Sequence, residues 1–438
     1  MSVFLDGTLP HVGDLSHAET RRGGEFFSRK ERKDHKAGGP TSVSATIDRS
    51  TWKRVRMGEV LSLSDGDWIE SKDQSESGYR LIQTGNIGAG EFVYHQGRAR
   101  FISAETFARL KCTEVFSGDC LISRLPDPIG RACILPASQN RMITAVDCAI
   151  ARPIDNVIDR RFFVYFTSTV DYKRQMEKAL MGSTRQRISR KSLNEVLIPL
   201  PGIEIQKTIV SSLSAIDTLC NALKSLIAKY EAIKKATVNL LLEPKSYWRV
   251  VPLGEICEVC STRRVHESDW TDSGVPFYRA RELVALNEGR SITPLHISEK
   301  LYNELIASSG TIRPGDLLVT GVGSIGVPYL VKGNDKFYFK DGNIIWFKNR
   351  GEIWPDYFLH AFRSDHIQKQ IMEMACVGTV GSYTITNGKR TLIALPPLDE
   401  QKRIVEILDS LDGTISGLKS QLAKAQDIKR GMMAYFFG

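Results

Sequence analysis

Three stretches of the chain have residue types and spacings that suggest chemistry. GVGSIG (321–326) fits the G-x-G-x-x-G pattern that cradles a dinucleotide pyrophosphate. That chemistry needs a helix directly after the glycines, so that its N-terminus faces the phosphates. Here VPYLV follows, with Pro328 two residues on, which reads as a second strand. The stretch is therefore expected to be a turn between strands, and no cofactor is expected on this chain. CEVC (257–260) is a C-x-x-C. A zinc site needs a second such pair or histidines at suitable spacing, and the eight histidines are scattered. Residues i and i+3 of a strand point to opposite faces, so Cys257 and Cys260 read as packing cysteines rather than metal ligands. The sequence holds no G-x-x-x-x-G-K-[ST] loop, no H-E-x-x-H and no [ND]-P-P-[FYW]. TRQRISRK (184–191) instead concentrates positive charge in one loop, which suits contact with an anion. The expected sets of catalytic, cofactor-binding and metal-binding residues are all empty.

The elements that would position these residues come in duplicate. WKRVRMGE (52–59) returns as WRVVPLGE (248–255), 196 residues on. Gly118-Asp119 returns as Gly315-Asp316, and Gly130 as Gly326. LPGIEIQKTIVSSLSAID (200–217) returns as LPPLDEQKRIVEILDSLD (395–412), 195 residues on. A nearly constant offset over four separated landmarks marks an internal repeat. The expected division is a preamble (1–50), a first globular domain (51–199), a first long helix (200–245), a second globular domain (246–394) and a second long helix (395–438). The preamble, with RRGGEFFSRKERKDHKAGGP (21–40), is charged and Gly-rich and reads as largely disordered. A basic arm is its sharper reading.

Each globular part is rich in glycine and short β-branched runs such as RLIQTGNI (80–87) and NIIWFKN (343–349). These predict short strands joined by turns, with a few helices such as one over 160–180, and hence a mixed α/β (α+β) domain. Each long helix opens after Leu-Pro and then carries apolar residues at alternating steps of four and three. The first seam is Ile209, Leu213, Ile216, Cys220, Leu223, Ile227 and Tyr230. The second is Ile404, Leu408, Leu411, Ile415, Leu418, Leu422 and Ala425, each 195 residues from its counterpart. A step averaging about 3.5 residues is a coiled-coil seam. The plainer reading is an amphipathic helix lying on its own domain. About 38 helical residues span roughly 55 Å. An antiparallel pair would place the domains at opposite ends of a rod and make the molecule pseudo-two-fold symmetric. A parallel pair would make the chain travel the rod length twice.

Composition narrows the class. At 438 residues the chain has room for two or three domains. Its 42% hydrophobic and 25% charged residues match an ordinary globular protein. No apolar run reaches the roughly 18 residues of a membrane span, and the N-terminus lacks a basic stretch followed by an apolar core. Eight cysteines are too dilute for a disulfide scaffold, so a cytoplasmic location is expected. The net charge of +9 permits an anionic partner.

Two variable α/β domains, each followed by a long helix opening with LPxxxxQ, resemble the specificity subunit of type I restriction-modification systems. The residues carrying the resemblance are the W-x-x-x-x-x-G-E stretches at Trp52 and Trp248, the Gly-Asp turns, GSTRQRIS (182–189), and IPLPGIEIQK and IALPPLDEQK. GTVGSYTIT (378–386) stands where the first unit has GSTRQRIS. The resemblance implies that each domain reads half of a split site in double-stranded DNA. The paired helices would set the spacing and dock two methyltransferase subunits, joined by restriction and translocase subunits. S-adenosylmethionine, ATP and magnesium would then be bound by those partners, and this chain would not be an enzyme.

Side chains that pair with groove edges are chiefly Arg, Lys, Gln and Asn, and phosphate contacts need exposed Lys or Arg. The candidates in the first unit are Lys72, Gln83, Asn86, Arg124, Arg131, Arg185, Arg187, Arg190 and Lys191. In the second they are Arg263, Arg264, Arg279, Arg281, Lys340, Lys389 and Arg390. Two other readings stay open: a coiled-coil adaptor whose globular ends bind proteins, and an enzyme whose site is assembled from distant positions. The first lacks basic loops on a common side, and the second needs a deep pocket of convergent titratable groups.

Overall fold

A computed structural model of the protein describes residues 48–438, apart from Gln96, Arg98, Asp127, 182–185 and 376–380. Nearly all of the preamble (1–47) and the candidate Arg185 thus lie outside the described residues.

The two modules begin alike. Strand Lys53–Arg56 pairs antiparallel with Leu197–Leu200, and Arg249–Pro252 pairs the same way with Leu392–Leu395. Leu197–Leu200 and Leu392–Leu395 run directly into the long helices. Each W-x-x-x-x-x-G-E stretch therefore ties the start of its module to the base of its helix, which gives a physical reason for its recurrence.

Two four-stranded sheets follow in each module. The first has the order Leu61–Asp65, Cys148–Pro153, Cys120–Ser123, Ala132–Ile134, all antiparallel. Its sister has the same order: Cys257–Cys260, Ile344–Asn349, Leu317–Thr320, Pro328–Leu330. The strands Cys120–Ser123 and Leu317–Thr320 are buried at every residue, including the polar Ser123 and Thr320 at their ends, as inner strands covered on both faces are. A Gly-Asp turn leads into each. Gly118 and Gly315 both take φ +92°, a left-handed conformation that glycine adopts without Cβ strain. The aspartates accept the backbone N–H three residues back, from Phe116 to Asp119 at 3.0 Å and from Arg313 to Asp316 at 2.9 Å.

The second sheet differs between modules. In the first module its order is Arg100–Ile102, Tyr79–Ile82, Met142–Thr144, Glu114–Val115. In the second it is Trp270–Thr271, Leu295–Ile297, Val275–Tyr278, Tyr338–Phe339. The helix expected over 160–180 is two helices, Arg160–Phe166 and Val170–Met181. The break falls where the hydroxyls of Thr167 and Thr169 donate to the carbonyls of Val164 and Phe166, an alternative to helical continuation.

The long helices are Ile203–Leu241 and Leu398–Phe437, 39 and 40 residues. Each opens on a buried glutamine, the last letter of LPxxxxQ. Gln206 donates to the carbonyls of Pro201 and Val157 and accepts the N–H of Asp159 at 2.8 Å. Gln401 does the same with Pro396, Glu352 and the N–H of Trp354 at 2.7 Å. A buried amide must find such partners, so the glutamine fixes the angle at which each helix leaves its module.

The helices run antiparallel. Lys234 pairs with Asp412 and Lys429 with Asp217, each at 2.5 Å, and Lys419 pairs with Glu231 at 2.8 Å. Between these pairs lie Cys220, Leu223 and Ala425, flanked by Ile216, Leu418 and Leu422. Ile209, Leu213, Ile227 and Ile415 are also buried, while Tyr230 and Leu411 are half-buried. Ile404 and Leu408 join the core of the second module. The two readings of the seam thus apply to different segments: the opening turns of a helix lie on its own module and the middle lies on the other helix.

Each module also meets the far end of the opposite helix. The Phe162 ring lies 5.3 Å from that of Phe437, and Val238 and Leu241 pack on the second module's core. The modules therefore sit at opposite ends of the helix pair. At the entry to the first module, the Arg49 guanidinium also donates to the Gly438 carbonyl at the foot of the second helix.

Candidate nucleic-acid interface

The second sheet of each module leads into a cleft. In the first module the strand Tyr79–Ile82 ends in the turn Thr84–Asn86, beside a cleft of about 570 Å³ lined by Arg80, Gln83, Asn86, His95 and Arg100. In the second module Val275–Tyr278 ends in the helix Ala280–Asn287, beside a cleft of about 640 Å³ lined by Arg281, Glu282, Arg290, Ser291 and Ser324. The turns are equivalents at the 196-residue offset. In each, the fourth side chain accepts the first residue's backbone N–H: Asn86 from Gln83 at 3.0 Å, Glu282 from Arg279 at 2.9 Å. One backbone device is thus kept while an amide is exchanged for a carboxylate.

Glu282 is the more constrained of the two. It is 3% exposed, and the guanidinium groups of Arg279 and Arg281 pair with it at 2.8 and 2.7 Å. Burial pushes its carboxyl up, but the hydrogen bonds from both arginines and the Arg279 N–H outweigh that and hold it below the usual range. Opposite the first turn, Arg131 donates to the carbonyls of Thr84, Ile87 and Pro128.

The sequence candidates divide accordingly. Gln83, Asn86 and Arg281 line the clefts, and Arg279 supports one from behind. Asn86 is buried and spends its amide on Val93 O at 3.0 Å, so it shapes the turn rather than reaching outward. Arg131 likewise holds the turn. Arg124 is the clearest correction: it is buried, donates to Ile188 O at 2.7 Å and pairs with Asp65. It ties the basic loop to the first sheet and cannot face a groove. Arg187 is half-buried on Asp147 at 3.1 Å and Val146 O at 2.8 Å. Arg190 and Lys191 remain exposed beside it. Lys72 is exposed and paired with Glu70 at 2.7 Å, and Arg264 with Asp341 at 3.2 Å. Arg263, Lys340, Lys389 and Arg390 are exposed. Sequence reasoning passed over Arg80, His95, Arg100 and Arg290. Their signal was the repeat itself, since all four lie beside the equivalent turns.

The other sequence features behave as structural parts. GVGSIG joins the antiparallel strands Leu317–Thr320 and Pro328–Leu330. Cys257 and Cys260 occupy one edge strand, packed in different apolar clusters. Burial pushes the Cys257 thiol up to about 12, so it is unreactive at neutral pH. Among the described residues, His360, Asp409 and Asp412 bring possible metal-ligand atoms within 4.8 Å of one another. The Lys234 ammonium already binds Asp412 there. Burial holds the His360 imidazole below its ordinary value, so at neutral pH it is an uncharged partner of Asp409, 3.1 Å away.

Duplicated α/β modules on an antiparallel helix pair, each with a polar cleft, define a two-headed recognition protein. The model of the type I restriction modification DNA specificity domain matches residues 49–235 and again 245–426. The chain belongs to that family, and its function is DNA-sequence specificity in type I restriction-modification. It is similar to a putative type I restriction enzyme specificity subunit of Haemophilus influenzae, 26% identical over 292 residues covering 64% of this chain and 71% of the relative. It is also similar to the EcoBI specificity subunit of Escherichia coli, 21% identical over 451 residues covering 88% and 85%. In fold it is similar to the crystal structure of the S subunit from M. genitalium, with a TM-score of 0.54, 16% identity and coverage of 89% and 96%. A chain from a structure of type I R-M complex assembly matches at TM-score 0.54, 20% identity and coverage of 88% and 96%. No helix among the described residues is long and apolar enough to cross a membrane.

Proposed function

We propose that each module reads one half of a bipartite site in duplex DNA. The two long helices act as an antiparallel coiled-coil ruler that fixes the distance between the halves. The observation that carries this reading is the exchange symmetry of the strut. Lys234–Asp412 and Asp217–Lys429 become one another when 195 residues are added or subtracted, so the pair has a two-fold axis between them. Duplex DNA has its own two-fold axes, and a protein with matching symmetry meets both strands equivalently. The two-fold also presents equivalent helix surfaces to two copies of a methyltransferase subunit, one for each strand. Restriction and translocase subunits join this assembly in the cytoplasm. S-adenosylmethionine, ATP and magnesium are bound by those partners, and this chain contributes recognition and spacing without catalysis.

The test is a genome-wide map of methylated adenines in cells carrying the partner subunits, with and without this chain. A bipartite motif present only with the chain is the expected result. Methylation independent of the chain, or a single contiguous motif, would overturn the reading. The ruler makes a second prediction. Seven residues inserted after Ser225 and seven after Ser420, which the ion pairs place at about the same level near the two-fold axis, lengthen the strut by about 10 Å. At about 3.4 Å per base pair the gap between half-sites should grow by about three, with both halves unchanged.

A further inference from the structure

The two clefts occupy the same place in the two modules and differ in the chemistry of one turn. That difference carries a statement about which base is read. In the second module the turn holds Arg279, Arg281 and Glu282; the first module has Gln83, Gly85 and Asn86 at those places. Arg279 is 22% exposed at its side chain and gives both Nε and Nη2 to the Glu282 carboxylate. It is committed to the protein. Arg281 is 69% exposed and gives that carboxylate only its Nε, at 2.7 Å. Its two terminal amino groups have no other partner among the described residues, and the side chain lines the cleft.

We infer that Arg281 is a specificity-determining residue that reads a guanine in the half-site of the second module, with Glu282 as its positioning residue. This rests on the reading of the modules as half-site readers. The two terminal amino groups of a guanidinium match the O6 and N7 acceptors of guanine, which no other base presents together on its major-groove edge. A mobile arginine gains little selectivity from this match, because ordering it offsets much of the hydrogen-bond energy. Here the buried carboxylate fixes the Nε side of the fork before DNA arrives, and the Arg279 N–H and guanidinium fix the carboxylate in turn. Arg290, on the same cleft, pairs among the described residues only with the exposed Glu288 and lacks such support. The first module has a glycine at the equivalent of Arg281, so it lacks this guanine reader and reads its half-site by other groups.

The experiment uses the full chain assembled with its partner subunits. Methylated adenines are mapped for the unaltered chain, Arg281→Ala and Arg281→Lys, and binding of each complex is measured on duplexes that vary one base pair at a time. The expected result is a guanine requirement at one position of one half-site, weakened about ten- to a hundredfold by Arg281→Ala. Arg281→Lys should retain only part of the preference, because a single ammonium does not match the bidentate pattern. The other half-site should not change. If Arg281→Ala lowers binding equally on every sequence, the residue contacts phosphate and the inference fails. It fails as well if the base preference is unaltered. If the unaltered complex shows no bipartite motif, the reading beneath it fails instead, a separate outcome. Arg281 is exposed, so an unchanged melting temperature should show that the variants fold.

Discussion

Within each module the two sheets behave differently across the repeat. The first sheets have one strand order, and in the second module this sheet shares a core with the opening turns of the helix through Val259, Leu317, Ile345, Phe347, Ile404 and Leu408. The second sheets diverge. The first module adds Glu114–Val115 beside Met142–Thr144, whereas on the opposite edge the second lengthens to the strand Trp270–Thr271 what the first keeps as the single bridge Ser75–Phe101. A three-residue turn in one becomes an eight-residue helix in the other. The part that must match across a two-fold axis is held constant, and the part free of that demand has diverged. The proposed ruler between two different half-sites needs both.

The largest effect expected from breaking this comparison lies in the constant part. Leu213→Ala and Leu408→Ala remove fully buried equivalents 195 residues apart. Each should cost about 2–5 kcal/mol in denaturant unfolding, and the two costs should be similar. A cost confined to one helix would show that only one module is seated on the strut.

The next effect sharpens the comparison where the constant part departs from symmetry. His360 stands where the first module has Tyr165; Asp409 faces His360 where Ser214 faces Tyr165. Burial lowers the imidazole from its ordinary 6.5, with Asp409 and Asp412 opposing and Lys234 assisting the shift. The unfolded chain therefore binds this proton first as the pH falls. Stability from this group is intact above about pH 6.5 and declines below it, down through the lower folded value. His360→Tyr should remove that decline, seen as a flatter melting temperature between neutral and mildly acidic pH. An unchanged slope would assign the pH dependence elsewhere.

The smallest effect belongs to the ion pairs across the strut. Lys234–Asp412 is 25% and 41% exposed, and Lys429–Asp217 is 35% and 31% exposed, so water screens both. Breaking either by Lys→Met should cost at most about 1 kcal/mol, and equally for the two. Unequal costs in a double-mutant cycle would mean that the symmetry of the contacts is not a symmetry of energies.

Much of the organisation was legible because it is written in periodicity. The 195-residue offset and the 3.5-residue step depend only on which positions are apolar, and a helix brings those to one face whatever surrounds it. The candidate interface was legible less evenly. Arg124 and Arg281 are the same residue type, each close to a strand, and nothing local separates them. One is sealed by Asp65 and Ile188 O, the latter 64 residues away in sequence. The other lies over a cleft.

The sequence by itself determined the repeat, the positions of the two long helices, the turn nature of GVGSIG and the packing role of Cys257 and Cys260. Each follows from local spacing and steric rules that act within a few residues. The tertiary structure decided that the helices run antiparallel, that each seam is shared between a module and its sister helix, and which arginines are committed to carboxylates and carbonyls. Those outcomes depend on partners brought together from far along the chain, and the availability of a guanidinium is set by what is left after its neighbours have claimed it.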